Sequence, residues 1–125
     1  MSIDAAQRNQ AEVELRQVVS NLQAKINQDR LDGPDLILGC RRVLNLWINS
    51  GGSSLDDPVI GFLGIESQSD HVLEGSQVQF GRDVDHVRFE PGSAAEREEV
   101  GEIGRFFRES FIMGVHDLAL YLDAN

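Results

Sequence analysis

The sequence predicts an all-α fold, a helical bundle of three long helices plus a short buried helix, in one domain covering residues 1–125. Apolar residues recur at spacings of three and four near both ends of the chain, which is typical of helices with one buried face. Helix start and stop residues separate these segments. Alternation typical of strands is confined to residues 72–92. With 125 residues, 41% of them hydrophobic, the chain can form one core.

The first two helices are predicted at residues 4–30 and 35–49, separated by a break at Leu31-Asp32-Gly33-Pro34. The first carries a narrow apolar stripe: Ala11, Leu15, Val18, Leu22 and Ile26. The second carries a broad one: Leu36, Ile37, Cys40, Val43, Leu44, Trp47 and Ile48. The breadth of this face predicts a central helix with Cys40 and Trp47 buried.

After a Gly/Ser loop, Asp56 and Pro58 are typical of a helix start, with an Asp cap and a Pro in the first turn. The following residues, 59–65, are apolar all round, and periodicity does not separate a buried strand from a buried helix here. The start signal favours a short buried helix. Residues 72–92 are predicted to form an irregular loop, in which V-Q-F and V-R-F are candidates for a small hairpin.

The last helix is predicted at residues 94–122, beginning with a capping box formed by Ser93 and Glu96. Its apolar stripe consists of Val100, Ile103, Phe107, Phe111, Gly114, Leu118 and Leu122, broadened by Phe106, Val115 and Tyr121. Glycine inside a helix costs about 1 kcal/mol relative to alanine. Gly101, Gly104 and Gly114 therefore predict close approach of another backbone.

The formal net charge of −10 arises entirely from residues 51–125, which hold fifteen acidic and five basic groups. Such a surface repels phosphates and anionic lipids, which argues against nucleic-acid and membrane partners. It would suit a basic protein partner, or it serves only solubility. The chain has one cysteine, no apolar run long enough to cross a bilayer and no signal-peptide core, so we expect a cytoplasmic protein.

Residues 65–71, I-E-S-Q-S-D-H, bring together the candidate site residues. On a helix, Glu66 and Asp70 lie one turn apart, as do Ser67 and His71. The cluster fits acid–base or nucleophilic catalysis, a ligand or partner site, or a structural ion pair of Glu66 with Arg41 or Arg42. Because no nucleophile elbow accompanies the cluster, we assign no catalytic residue.

Every histidine is next to an aspartate, and residues 83–86 read D-V-D-H. Adjacent residues on a helix or strand face different ways, so these dipeptides are not chelates, and we predict no metal site. The sequence also lacks the glycine-rich phosphate-binding loops, and we predict no cofactor.

Three segments together carry a resemblance: G-C-R-R-V-L-N-L at 39–46, D-P-V-I-G-F-L-G-I-E-S-Q-S-D-H-V-L-E-G at 57–75, and the long acidic last helix. This order resembles a family of uncharacterised small bacterial proteins with an I-[DE]-S-[EQ]-[ST]-D-H core. The sequence departs from the family pattern after Gly75. The resemblance implies a bacterial source and a helical fold, and it implies no activity.

The leading hypothesis is a non-enzymatic cytoplasmic protein that uses an acidic surface to bind other proteins, in an immunity-like or regulatory role that neutralises a basic partner. One alternative is a small hydrolase or metal-binding protein centred on Glu66, Asp70 and His71. Another is a structural homodimer formed through the first or last helix, and the narrow stripe of the first helix is compatible with pairing to a second chain.

Overall fold

A computed structural model describes residues 5–74, 77–79, 88–90 and 94–124 of the chain. The described residues form helices α1 (Ala5–Asn27), α2 (Gly33–Asn49), α3 (Ile60–Glu74) and α4 (Ala94–Ala124), and strands β1 (Gln77–Gln79) and β2 (Arg88–Glu90). The predicted all-α bundle is confirmed. The strands pair antiparallel with Val78 opposite Phe89, so the hairpin expected within 72–92 is present at these residues.

Helices α2 and α4 form the central pair, and each of them contacts both α1 and α3. The pair runs parallel, because Gly33 lies beside Gly104 at one end and Trp47 lies beside Tyr121 at the other. At the middle of the bundle, the fully buried rings of Phe62 and Phe111 meet edge to face with centroids 5.7 Å apart.

The apolar face of α2 is buried as predicted, and it includes both Cys40 and Trp47. Ile48 is the exception, since its side chain is exposed near the end of the helix. Helix α2 begins at Gly33, two residues earlier than predicted, because Asp32 caps it and accepts a hydrogen bond from the Asp35 amide at 2.9 Å.

Helix α1 ends at Asn27 rather than near Arg30, because Asp29 adopts a left-handed conformation with φ of 54°. Aspartate tolerates this region better than most residues do. Arg108 of α4 then holds the turn, donating to the Asp29 carboxylate at 2.7 Å and to the Leu31 carbonyl at 3.1 Å.

Helix α3 is longer than the predicted short helix, and the side chains that the structure describes in it are buried on one face. Phe62, Ile65 and Ser69 point inward, whereas Ile60 and Gly64 are exposed. Helix α3 lies at the side of the central pair, and the inward face of its described part meets α2 and α4.

Asp56 does not cap α3 with its carboxylate. The carboxylate turns back and accepts hydrogen bonds from the Ser53 amide at 2.8 Å and from the Trp47 indole N–H at 2.9 Å. These two bonds lower the pKa of Asp56, the Ser53 amide contributing most. The side chain thus ties the α2–α3 loop to the end of α2.

Asp56→Ala is expected to lower the melting temperature at neutral pH and to lose this effect in acid. A lowered carboxyl pKa stabilises the fold above the ordinary value of 3.8, and this contribution disappears as the pH falls through the folded-state value. Thermal unfolding of both proteins across the acid range measures the difference. Asp57→Ala, a substitution at the exposed neighbouring residue, is the control. If Asp56→Ala lowered the melting temperature by the same amount down to pH 2, the expectation would be contradicted.

Helix α4 departs from the prediction at two aromatic residues. Phe106 and Tyr121 were expected to broaden its buried stripe, but both are exposed, while Val115 is buried as expected. The predicted capping box lies outside the described residues.

The close backbone approach predicted from the α4 glycines is confirmed at Gly104, where an added Cβ would lie 2.7 Å from the Cα atom of Gly33. At Gly101 the prediction was wrong, because the nearest atoms belong to the flexible side chain of Arg105. At Gly114 the neighbour is the ring of Phe62 rather than a backbone.

Candidate functional site

Of the candidate residues at 65–71, the structure describes the side chains of Glu66 and Ser67. Glu66 is half-buried, Ser67 is exposed, and the side chains of Asp70 and His71 lie outside the described part of the structure. The grouping of these four residues into one site stays a prediction.

The serine hydroxyls of this segment are used within their own helix. Ser67 donates to the Leu63 carbonyl at 2.9 Å, and the fully buried Ser69 donates to the Ile65 carbonyl at 2.9 Å. Such bonds satisfy a hydroxyl locally and need no tertiary partner. Sequence reasoning missed the inward position of Ser69, although its seven-residue spacing from Phe62 places both on one face.

Glu66 lies near Cys40 across the α2–α3 interface. Burial raises the pKa of the Cys40 thiol, and the negative charge of Glu66 raises it further. The thiolate is therefore scarce at neutral pH, and the Cys40 side chain is part of the hydrophobic core.

The ion pair of Glu66 with Arg41 or Arg42 stays a prediction. Both arginines are half-buried on α2, the helix that Glu66 faces. The Nε atom of Arg42 is buried without a hydrogen-bond acceptor.

Within the described ranges, no three histidine, cysteine or acidic side chains come together as metal ligands would. His116 and Asp117 are exposed on α4. The D-V-D-H segment lies outside the described residues. None of the helices in the described part of the chain combines the length and the apolar character that crossing a bilayer requires.

A row of exposed apolar side chains runs along the outside of α4. Phe106, Met113 and Leu120 are 81%, 66% and 57% exposed, respectively. Their spacing of seven residues, two helical turns, aligns them on one face, opposite the buried Phe111, Val115 and Leu118. We call Phe106, Met113 and Leu120 the outer row.

The outer row is flanked by acidic groups. The residues three or four positions from its members are neighbours on the helix surface, and these include Glu102, Glu109, Asp117 and Asp123 but no Lys or Arg. All four carboxylates are exposed. Among the basic residues of α4, Arg108 is bound to Asp29 and Leu31, and the Arg105 side chain lies beside Gly101.

A groove of about 390 Å³ lies between α1 and α4 beside Met113. Ile26, Ile112 and Val115 contribute apolar side chains to it. Gln23, Asn27, His116 and Asp117 contribute its polar groups. The outer row and this groove together form an apolar surface with an acidic margin.

Comparison of the chain with protein-family models, with curated proteins and with solved structures finds no match.

Proposed function

We propose that this chain is a non-enzymatic, cytoplasmic bacterial interaction protein, which binds a basic partner protein through the outer row of α4 and its acidic flanks. An immunity-like or regulatory role, in which the partner is neutralised, is the most concrete form of the proposal. The observation that carries it is the alignment of Phe106, Met113 and Leu120 in water on one face of an acidic helix.

The outer row is not needed to hold α4 in the bundle, because the opposite face of the helix already packs into the core. Single exposed apolar residues are common on protein surfaces, but an exposed apolar patch with a polar margin is typical of a binding site. A partner that covers these side chains gains about 25 cal/mol for each Å² of apolar surface removed from water.

The acidic flanks favour a basic partner over a second copy of the chain. In a homodimer through α4, the carboxylates beside one outer row would lie close to those beside the other, and no Lys or Arg stands three or four positions from its members. Like charges across an interface are repulsive, whereas lysine or arginine on a partner would pair with the flanks and speed association.

The test compares a triple outer-row variant, Phe106→Ser, Met113→Ser and Leu120→Ser, with the unaltered chain. Each is immobilised and exposed to extract from the native cells, and candidate partners are then purified and titrated by calorimetry. We expect a basic protein that the variant binds at least about tenfold more weakly, because three apolar contacts are lost. The affinity should also fall with added salt.

The matched control replaces three exposed apolar residues outside α4, using Val13→Ser, Leu55→Ser and Ile60→Ser. This control should bind like the unaltered chain, and circular dichroism should show the same helix content in all three proteins. Partners that bind the outer-row variant and the unaltered chain equally would refute the proposal.

A further inference from the structure

We infer that the α1–α4 groove beside Met113 receives an apolar anchor side chain from a basic amphipathic helix of the partner. This inference rests on the proposed function and adds the conformation of the partner, its orientation along α4 and the contact that fixes its position.

The groove has the chemistry of an anchor site. Its apolar members, Ile26, Ile112 and Val115, come from two helices that pack against each other, and Met113 stands at its edge. Methionine is flexible and adapts to the shape of a side chain that packs on it. The groove volume of about 390 Å³ leaves room for a large apolar side chain.

Two carboxylates beside the groove, those of Glu109 and Asp117, are placed to pair with basic residues of a partner helix. Glu109 lies four residues before Met113, and Asp117 lies four residues after it, so each is one turn from the edge of the groove. On a partner helix lying along α4, lysine or arginine residues one turn before and after the anchor would reach these two carboxylates.

Two cations of α1 already have partners within the chain. Arg16 donates to the Leu122 carbonyl at 2.9 Å and to Glu12 at 3.2 Å, and Lys25 pairs with Asp35 of α2 at 2.7 Å. Among the described residues that line the groove, Asp117 supplies a carboxylate and His116 a ring nitrogen, and Glu109 lies one turn before Met113 at its edge.

The groove runs between two helices that lie side by side, and this shape suits a third helix better than an extended strand. A helix can lay its apolar face into such a groove, whereas a strand gains its affinity from the free edge of a sheet. Strand β1 contacts α3, whereas the groove is lined by α1 and α4.

The experiment uses a fluorescent synthetic helix of leucine and lysine, about 20 residues long so that it spans about 30 Å. Fluorescence anisotropy measures its affinity for the full chain at several salt concentrations. Two matched peptides accompany it, one with every lysine replaced by glutamate and one with the central leucine, the anchor, replaced by alanine. Met113→Gln and the paired change Glu109→Gln with Asp117→Asn are the chain variants, and Leu55→Gln is the control.

We expect saturable binding of the lysine peptide, at least about tenfold weaker binding of the alanine-anchor peptide and of Met113→Gln, and no binding of the glutamate peptide. The paired neutralisation should reduce the salt dependence of the peptide affinity, and Leu55→Gln should leave the affinity unchanged.

The absence of saturable lysine-peptide binding, or equal affinity for the leucine and alanine anchors, would overturn the inference. The proposed function would fail on a different result, namely native partners that bind the outer-row variant as tightly as the unaltered chain. A concentration-dependent dimer abolished by Met113→Gln would assign the groove to a second copy instead.

Discussion

Phe111→Ala is expected to lower the free energy of unfolding by about 3–5 kcal/mol, the largest effect predicted for a single substitution in this chain. The ring of Phe111 is fully buried, it packs edge to face on Phe62 of α3, and it lies against Gly39 of α2. Removing it leaves a cavity where three helices meet. Since small domains are stable by only about 5–15 kcal/mol, chemical denaturation should show a large shift of the midpoint.

Phe106→Ala is the matched control, because it removes the same ring from the same helix at a position that is 81% exposed. Its effect on stability should be within about 0.5 kcal/mol. Equal losses from the two substitutions would contradict the burial of Phe111 and the exposure of Phe106, and with them the outer row.

Gly104→Ala is expected to reduce the free energy of unfolding by about 2 kcal/mol or more, although alanine is the better helix former. A Cβ at this position would lie 2.7 Å from the Cα atom of Gly33, so α2 and α4 would have to move apart. Backbone atoms cannot rotate away as a side chain can. Chemical denaturation measures the loss.

Gly101→Ala should instead raise the free energy of unfolding, by up to about 1 kcal/mol, because alanine is the better helix former. Its Cβ would meet only the end of the Arg105 side chain, which can shift. The two substitutions are chemically identical and one turn apart. A stable Gly104→Ala variant would mean that α2 and α4 do not approach at this point.

The sequence alone predicted the all-α class and the approximate bounds of the long helices. Periodic apolar residues and local start signals are properties of a segment of chain, and they need no knowledge of its neighbours. For the same reason the burial of Cys40 and Trp47 was predictable from the broad face of α2. The candidate cluster around Glu66 rested on residue types alone, and its grouping stays a prediction.

Tertiary packing decided which apolar residues of α4 are buried and which of its glycines meet another backbone. Helix α4 has apolar residues on more than one face, and only the positions of α1, α2 and α3 determine that Phe111 is buried while Phe106 is exposed. The different roles of Gly101 and Gly104 likewise depend on where Gly33 lies. The periodic pattern shows which residues share a face of a helix. Which face is buried depends on how the helix packs against its neighbours, and a single segment does not contain that information.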